Sequence, residues 1–292
     1  MFSDGWLMKR VAVMMWRSVL LIVLSVVPCI GAHAVTHFLH VGDKRVVALP
    51  RLITDISNSD LVFIGETHDD AAHHETELDI IRALHARGIP VAVGLEMFAS
   101  DSQRQLDDWI AGKLDERSFM PTWSGNWSYD WRLYRDIFLF ARDNHIPLIG
   151  LNVPKPLVFK VAARGAAGLG EADARELPPR ISWELNPLQT AYLKRVFSHV
   201  FGNNPEDKSF ANFCQAQALR NNGMAWNISK FLNKNPSAKV VVIAGTWHAV
   251  KNGVPEQVAR YGSRTSVVIL PELPEFNAGN ATPRETDYLF MR

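Results

Sequence analysis

The sequence is poor in cysteine and has no excess of charge of either sign. Only two of its 292 residues are cysteines, Cys29 and Cys214, which excludes a disulfide-rich scaffold. Its 31 Lys and Arg residues are balanced by 30 Asp and Glu residues, so there is no overall field to attract nucleic acid. We therefore expect no nucleic-acid partner. With 47% hydrophobic residues, the chain is long enough to bury a globular core.

Several common catalytic and phosphate-binding motifs are also missing. The chain has no Gly-rich phosphate loop, no Gly-x-Ser-x-Gly nucleophile elbow and no Cys-x-x-Cys pair. The histidine-rich stretch HDDAAHH, residues 68–74, lacks the His-Glu-x-x-His arrangement of a zinc protease helix. A metal site built from ligands on separate strands stays open as an alternative, because such ligands need not be adjacent in sequence.

The first 34 residues have the pattern of a secretory signal peptide. Three basic residues precede an apolar run, residues 18–31, that is too short to span a bilayer comfortably. Ala32-His33-Ala34 then supplies a small-x-small cleavage site. We predict cleavage after Ala34, so that the mature chain starts near Val35 and is exported.

Cleavage at this position would leave Cys214 as the only cysteine of the mature chain, without a partner for an intramolecular disulfide. Cys214 lies in a predicted helix, where a single cysteine is more often a small hydrophobic residue than a nucleophile. An uncleaved anchor and lipidation at Cys29 are alternatives. Pro28 before Cys29 differs from the small residue that a lipidation site normally has.

Five apolar runs rich in valine and isoleucine predict the strands of a parallel sheet. Continuous apolar runs are typical of strands that are covered on both faces. The runs are residues 61–65, 91–98, 146–153, 239–245 and 266–270. Helices predicted at residues 71–87 and 131–144 lie between the first three runs, which gives the βαβ order of an α/β protein. We predict an α/β fold with a mainly parallel central sheet flanked by helices.

The segment between the third and fourth predicted strands is longer than one crossover needs. It contains a long predicted helix around residues 209–234, and we interpret about 155–236 as a helical insertion. The insertion would belong to one α/β domain, residues 35–292. The tail after Pro271 is rich in proline and asparagine, and we expect it to wrap over the surface.

Titratable residues gather where the predicted strands end. The first and fourth strands each run into Gly-x-x-His, which places Glu66 and His68 at one strand end and His248 at another. Glu96 and Asn152 lie at the ends of the second and third strands. Loops at the carboxyl ends of parallel strands converge on one edge of the sheet, and buried carboxylates are costly unless they are paired. We predict that the two glutamates and the two histidines form one site.

Further titratable residues follow in the first predicted helix. Asp69 and Asp70 are interpreted as N-cap residues of this helix. His85 lies on the apolar side and is predicted to pack in the core. For His73 and His74, core and site interpretations stay open.

Residues 120–138 combine aromatic side chains with arginines. Trp123, Trp127 and Tyr129 precede the second predicted helix in a loop rich in Gly, Asn and Ser, where such a cluster would be a lid or a partner surface. A flat apolar cofactor with carboxylate edges would suit these aromatics together with Arg132. Alternatively, the arginines of this segment are ordinary exposed helix residues.

Several of these stretches occur in the same order in one known family. They are GETH, GLEMF, WSYDWRLY, IPLIGLNVPKPLV and AGTWHAVKNGVP, which lie within residues 65–255 of a resemblance that extends over about 44–289. In them the chain resembles the ChaN family of iron-regulated haem-binding proteins. The resemblance implies an α/β fold related to the erythromycin esterases and the TraB/Tiki proteins. It also implies a role in bacterial haem or iron acquisition and an exported location, periplasmic or peripheral to a membrane.

The resemblance implies haem as the cofactor and a set of residues that bind it. These are Glu66, His68, Glu96, Tyr129, Arg132 and His248. Tyr129 is the first candidate for the iron ligand, since a phenolate favours ferric haem, and His68 and His248 follow. The implied partners are an outer-membrane haem receptor or transport component, and a second copy of the chain around the haem.

The same resemblance leaves an enzymatic alternative open. In a hydrolase, His68 would be the general base or a ligand of a divalent metal ion. Glu66 and Glu96 would orient it or the water, and His248 would stabilise the developing charge. A third hypothesis, a vestigial site, predicts that Glu66 and His68 tolerate alanine without loss of any ligand.

Overall fold

The structure is a computed structural model that describes residues 36–201 and 208–291. The predicted signal peptide lies outside the described residues. Eight strands of the described chain form one sheet. They are β1 (His37–His40), β2 (Arg45–Ala48), β3 (Leu61–Glu66), β4 (Val91–Ala99), β5 (Leu148–Asn152), β6 (Lys239–Gly245), β7 (Ser266–Pro271) and β8 (Tyr288–Met291).

The strands are ordered β2-β1-β8-β7-β3-β6-β4-β5 across the sheet. From β8 to β5 all neighbours are parallel, whereas β1 is antiparallel to both β2 and β8. The five predicted strands are β3 to β7. The α/β class with a mainly parallel sheet is therefore confirmed.

Sequence analysis missed the antiparallel edge of the sheet. The expectation that the tail after Pro271 wraps over the surface is wrong for its last residues, because β8 is a buried strand of the sheet. Strands β1, β2 and β8 have four residues each. Runs this short carry too few apolar positions to distinguish a strand from a loop.

Ten α-helices of the described chain surround or extend the sheet. They are α1 (Leu49–Ile56), α2 (Ala71–Ala86), α3 (Gln103–Ile110), α4 (Glu116–Asn126), α5 (Trp131–Asp143), α6 (Lys155–Arg164), α7 (Pro187–Phe201), α8 (Lys208–Lys234), α9 (Thr246–Ala249) and α10 (Val254–Val258). The first five cover one face of the sheet. Helices α8, α9 and α10 cover the other face.

Strand β3 shows why continuous apolar runs form the centre of this sheet. Its successive side chains point to opposite faces, so Val62 and Ile64 pack under α2 and α5 while Leu61 and Phe63 pack against the α8 side. All four are fully buried. Burying each such side chain contributes roughly 1.5 to 3 kcal/mol to stability. A strand with one polar face would lack this contribution on that face.

The predicted helical insertion is present between β5 and β6 as helices α6, α7 and α8. Helix α8 packs against β5 and α6. Gly223 of α8 allows this close approach, since a Cβ atom there would lie 2.3 Å from Val153 Cγ1. The packing holds Arg220 and Asn221 of α8 over the carboxyl ends of the strands.

One aromatic residue is placed differently from the prediction. Trp123 lies inside α4 rather than in a loop, and it is buried against Phe98, Trp131 and Phe138. Its apolar neighbours come from β4 and α5, which local sequence could not indicate. Trp127 caps the end of α4, and Tyr129 lies in the connection to α5 as predicted.

Candidate functional site

The carboxyl ends of β3, β4 and β6 bring the predicted glutamates and histidines together. The backbone N–H of Gly245 donates to Glu96 Oε2 at 2.7 Å, and Thr246 Oγ1 donates to the backbone carbonyl of Glu66 at 3.2 Å. A Cβ atom on Gly245 would lie 2.8 Å from His68 Cε1. A glycine is required here because the end of β6 passes directly against the His68 ring.

Glu96 is a buried carboxylate held in its ionised form. Arg220 donates to Glu96 Oε1 at 2.5 Å, and His248 Nε2 lies 3.7 Å from the same oxygen. Burial acts to raise the pKa of Glu96, but attraction to His248, which is protonated in the acid range where Glu96 titrates, and to Arg220 outweighs it and lowers the pKa to about 2. The site therefore contains a desolvated Glu96–Arg220 ion pair at neutral pH.

His248 is fixed in one neutral tautomer by a chain of amides. Gln189 donates to the carbonyl of Trp247 at 2.6 Å and accepts from Asn221 Nδ2 at 3.2 Å. The carbonyl oxygen of Asn221 therefore faces His248 Nδ1, 2.6 Å away, and must accept its proton. Burial and the charge of Arg220 lower the pKa of His248 to about 4, although Glu96 opposes this. At neutral pH, Nε2 of His248 carries a lone pair toward Glu96.

The pKa of His68 is shifted in the opposite direction to that of His248. Its Nδ1 donates to Glu66 Oε1 at 2.7 Å, and the Tyr134 hydroxyl donates to the same oxygen at 3.0 Å. Burial disfavours the charged ring, but the hydrogen bond and charge of Glu66 raise the pKa of His68 above its ordinary value. Trp127 and Tyr129 contact the imidazole edge-on, with ring centroids 4.8 and 5.0 Å away. His68 thus lies between a buried carboxylate and an aromatic wall.

His74 and Glu77 form a second, fully buried pair behind this turn. His74 Nδ1 lies 3.0 Å from Glu77 Oε2, and its Nε2 lies 3.3 Å from the backbone oxygen of His68. Burial opposes the charged ring, but Glu77 raises the pKa of His74 to about 9. His74 therefore supports the turn that carries His68 without facing the opening of the site.

The other predicted residues at the start of α2 and within it make structural contacts. Asp70 is the N-cap of α2 and accepts from Ala72 N at 2.9 Å, as predicted, whereas the same prediction for Asp69 is wrong, because the helix has its N-cap one residue later. His73 Nδ1 accepts from the backbone N–H of Thr67 at 2.9 Å. His85 is half-buried and packs edge-on against Phe140.

Tyr129 and Arg132 have different surroundings. Tyr129 is 37% exposed and contacts His68 and Trp127. Arg132 forms an ion pair with Asp130 at 2.5 Å on the exposed first turn of α5. Among the contacts of the described residues, none joins Arg132 to Glu96 or His248. The structure places Tyr129 at the site and Arg132 on the outer surface.

A cavity of about 310 Å³ opens beside the Glu96–Arg220 pair. Residues from β4, the end of α4, α6 and α8 line it. They include Met97, Trp127, Lys155, Val158, Phe159 and Arg220. Trp127 belongs both to the cavity wall and to the aromatic contacts of His68, so the cavity adjoins the candidate site.

Other chemistries find less support in the described residues. Within residues 36–201 and 208–291, no group of three or more His, Cys, Asp or Glu side chains is placed to hold a metal ion. Burial raises the pKa of the Cys214 thiol to about 11, which makes it a poor nucleophile at neutral pH. No helix of the described part of the chain is long and apolar enough to cross a membrane.

Sequence reasoning missed three residues that complete the site: Tyr134, Arg220 and Asn221. They reach the strand ends from α5 and α8. Tyr134, for example, is 68 residues away in sequence from Glu66, whose carboxylate it contacts. A buried Glu96 requires a cation, but the sequence of α8 contains polar residues along its whole length and did not single out Arg220.

The chain is similar to solved structures with related folds. The ChaN protein of Campylobacter jejuni, described as showing cofacial haem binding, matches with a TM-score of 0.71 and 19% identity, over 89% of this chain and 97% of that chain. An erythromycin esterase variant in its open conformation gives a TM-score of 0.49 at 13% identity, over 83% and 78% of the two chains. At these identities the likeness to ChaN shows a shared fold.

Sequence comparisons give a family and one partial relative. Protein RETICULATA-RELATED 5, chloroplastic, of Arabidopsis thaliana is 28% identical over 139 residues, which are 44% of this chain and 18% of that protein. The chain thus spans under a fifth of that relative's length. A family model described as haem-binding uptake, Tiki superfamily, ChaN matches residues 52–258, well over half of the chain. The chain therefore belongs to the ChaN family of haem-binding uptake proteins in the Tiki superfamily.

Proposed function

We propose that the protein binds haem at the edge of the strand-end site, with Tyr129 as the ligand of the iron. The observation that carries the proposal is the accessible Tyr129 phenol, packed against His68 and Trp127 at the mouth of the site. Tyr129 is 37% exposed, whereas His248 is 7% exposed and already donates from Nδ1 to Asn221. A large planar ligand reaches the tyrosine without opening the core.

Tyr129 has the side-chain chemistry that a haem ligand requires. Haem would supply an iron with a position for a protein ligand, Tyr129 would hold it there, and phenolate is a ligand that favours the ferric state. Burial and the charges of Asp69 and Glu66 raise the pKa of Tyr129, which favours the neutral phenol, so binding of Tyr129 to the iron would have to release its proton. His68 is half-buried and hydrogen-bonded to Glu66, so it is the second candidate for the iron ligand. His248 is buried and is the third candidate.

A visible-absorption titration with ferric haem tests the proposal. We expect a saturable shift of the Soret band for the wild type. Tyr129→Phe should lower the affinity for haem strongly and change the shape of the bound spectrum. His68→Ala and His248→Ala should retain the tyrosinate spectrum. Tyr261→Phe removes the same hydroxyl group from a tyrosine that only donates to the carbonyl of Arg180, and it should bind as the wild type does. A wild type without any Soret shift would refute haem binding.

One observation favours hydrolysis as a second candidate function. Glu66 holds His68 Nδ1, which leaves Nε2 for a proton transfer in the manner of a carboxylate-oriented general base. Glu96 would then orient the attacking water, and His248 would stabilise the charge that develops on the substrate. Ester hydrolysis by the haem-free protein that is lost in both Glu66→Gln and His68→Ala would support this function. Unchanged hydrolysis in these variants would exclude it.

We further propose that the protein is exported and serves haem or iron acquisition. The signal-peptide pattern of residues 1–34 supports export, and the uptake description of the family supports the role. Cleavage after Ala34 predicts a mature protein that begins at Val35, which N-terminal sequencing of the periplasmic fraction checks. Lipidation at Cys29 would instead give a membrane-bound product with a blocked amino terminus. An outer-membrane haem receptor or a transport component is the partner class that this role implies.

A second copy of the chain is the other proposed partner. Tyr129 and Phe159, which is 67% exposed, leave apolar surface next to the cavity, and such surface is commonly covered by a partner. Sedimentation of the protein with and without ferric haem should show dimerisation that depends on haem. A monomer at all haem concentrations would contradict it.

A further inference from the structure

A second cavity, of about 440 Å³, lies between α7 and the tail that connects β7 to β8. Its lining comes from α7, from α9 and the residues after it, and from this tail. We call it the α7 cavity. It shares no lining residue with the cavity beside the Glu96–Arg220 pair. The two cavities are therefore separate binding surfaces.

Aromatic side chains form one wall of the α7 cavity. Tyr192 of α7 stacks on Trp247 of α9, and Trp247 contacts Phe276 of the tail with ring centroids 5.0 Å apart. Arg195 lies over the Tyr192 ring, with its guanidinium carbon 5.6 Å from the ring centroid. The faces of aromatic rings attract cations, so this wall suits a ligand that joins an apolar body to a positive charge.

The polar part of the lining is rich in hydrogen-bond acceptors. Two carboxylates, Glu275 and Glu285, line the cavity together with one cation, the exposed Arg195, so one negative charge is in excess. Glu285 already accepts from the backbone N–H of Thr282 at 3.0 Å. The Oδ1 atom of Asn252 is buried and has no hydrogen-bond partner among the described residues. A buried acceptor of this kind costs free energy unless a ligand donates to it.

Glu275 is the carboxylate of the lining that is available to a ligand. It is half-buried next to Phe276, and the salt bridges within residues 36–201 and 208–291 include none at Glu275. Burial and the charge of Glu275 raise the pKa of Tyr192 to about 12, as a carboxylate close to the phenol does. A cation bound here would neutralise Glu275.

We propose that the α7 cavity binds a small organic amine, an aromatic body that carries one protonated amino group. The body would pack on Tyr192 and Trp247. The ammonium group would donate to Glu275 and to Asn252 Oδ1. An anion would meet two carboxylates, and an uncharged aromatic compound would leave the excess charge without a partner. This binding goes beyond the haem binding proposed above and does not depend on it.

Calorimetric titrations of the haem-free protein with tryptamine and 3-propylindole test the proposal. The two compounds have the same shape, but only tryptamine carries a positive charge at neutral pH. Tryptamine should bind about tenfold more tightly, as one charge-assisted hydrogen bond predicts, and only its affinity should fall with added salt. Glu275→Gln should remove this tenfold advantage and leave the affinity for 3-propylindole unchanged. Tyr192→Leu should weaken the binding of both compounds, because it removes part of the wall on which both would pack.

Glu272→Gln is the matched control. It removes one negative charge from the same tail, at an exposed residue outside the cavity lining, and should leave both affinities unchanged. Equal affinity of the wild type for the two compounds, no binding of tryptamine, or tryptamine binding that Glu275→Gln does not change would each overturn the proposal. The Soret titration of Glu275→Gln with haem should match that of the wild type, so the amine site and the proposed function are tested separately.

Discussion

At the scale of single residues, the site depends on a charge that is buried together with its partner. Glu96 is 2% exposed and is neutralised by Arg220, which reaches it from α8. Desolvating both ions is costly, and their attraction repays that cost only while both are present. The pair therefore ties the helical insertion to the strand ends.

Removing one member of this pair should be more harmful than removing both. We expect Arg220→Met to lower the free energy of unfolding by about 3 to 5 kcal/mol, because it leaves Glu96 buried without its cation. Adding Glu96→Gln to this variant should recover part of the loss. Urea unfolding of the wild type, both single variants and the double variant measures the coupling. Additive losses would show that the two residues do not depend on each other.

His248 predicts how stability depends on pH. The unfolded ring has an ordinary pKa of 6.5 and the folded ring one of about 4, so the unfolded chain binds the proton more tightly. The part of the free energy of unfolding that depends on neutral His248 is fully present above pH 6.5. It declines as the pH falls toward 4, by about 3 kcal/mol in total.

His248→Leu should flatten this part of the pH profile, even though it leaves Asn221 without its hydrogen bond and lowers stability at every pH. Denaturant unfolding at several pH values between 7 and 4 measures how steeply the free energy of unfolding depends on pH in the wild type and in the variant. Equal slopes for the wild type and the variant would show that His248 is not the titrating group.

Residues at the strand ends were predictable, and those that reach them from helices were not. Glu66, His68, Glu96 and His248 follow apolar runs directly, so the parallel-sheet rule alone places them at one edge. Tyr134 and Arg220 come to this edge through helix packing, which depends on tertiary contacts rather than local pattern. The prediction for Arg132 relied on the composition of its segment; its side chain pairs locally with Asp130, and its role in haem binding stays a prediction.

At the scale of elements, the spacing between β4 and β5 is limited by a glycine. A Cβ atom on Gly150 would lie 2.6 Å from the backbone oxygen of Ala99. Gly150→Ala should therefore lower the free energy of unfolding by about 2 kcal/mol or more, as overpacking against backbone does. Gly125→Ala is the control, since nothing lies within 4 Å of its Cβ position in α4, and it should change stability by no more than about 1 kcal/mol. Thermal unfolding compares the two.

The elements also show where sequence patterns succeed. Helix α5 begins after its cap Asp130 and buries an apolar stripe, so both its start and its period are local features. Strands β1, β2 and β8 have no such local features, because each is defined by its pairing partner. Pairing between distant segments is a property of the whole chain.

At the scale of the whole molecule, haem should stabilise the fold by mass action. A ligand that binds only the folded state at a hundred times its dissociation constant adds about 2.7 kcal/mol to the free energy of unfolding. We expect this gain for the wild type and a smaller one for Tyr129→Phe at the same haem concentration. Calorimetry at increasing haem concentration measures it. An unfolding temperature that does not respond to haem would contradict specific binding.

The sheet order has a consequence for how the protein is made. Strand β3, the first of the central strands, hydrogen-bonds on both sides to β6 and β7, and β1 pairs with β8 at the far end of the chain. Pairing between segments so distant in sequence makes folding slow. A chain that emerges from the ribosome or a secretion channel with its amino end first cannot close this sheet until its last strand has appeared. The unfinished chain exposes strand edges in the meantime, so we expect its biogenesis to depend on chaperones that hold it open.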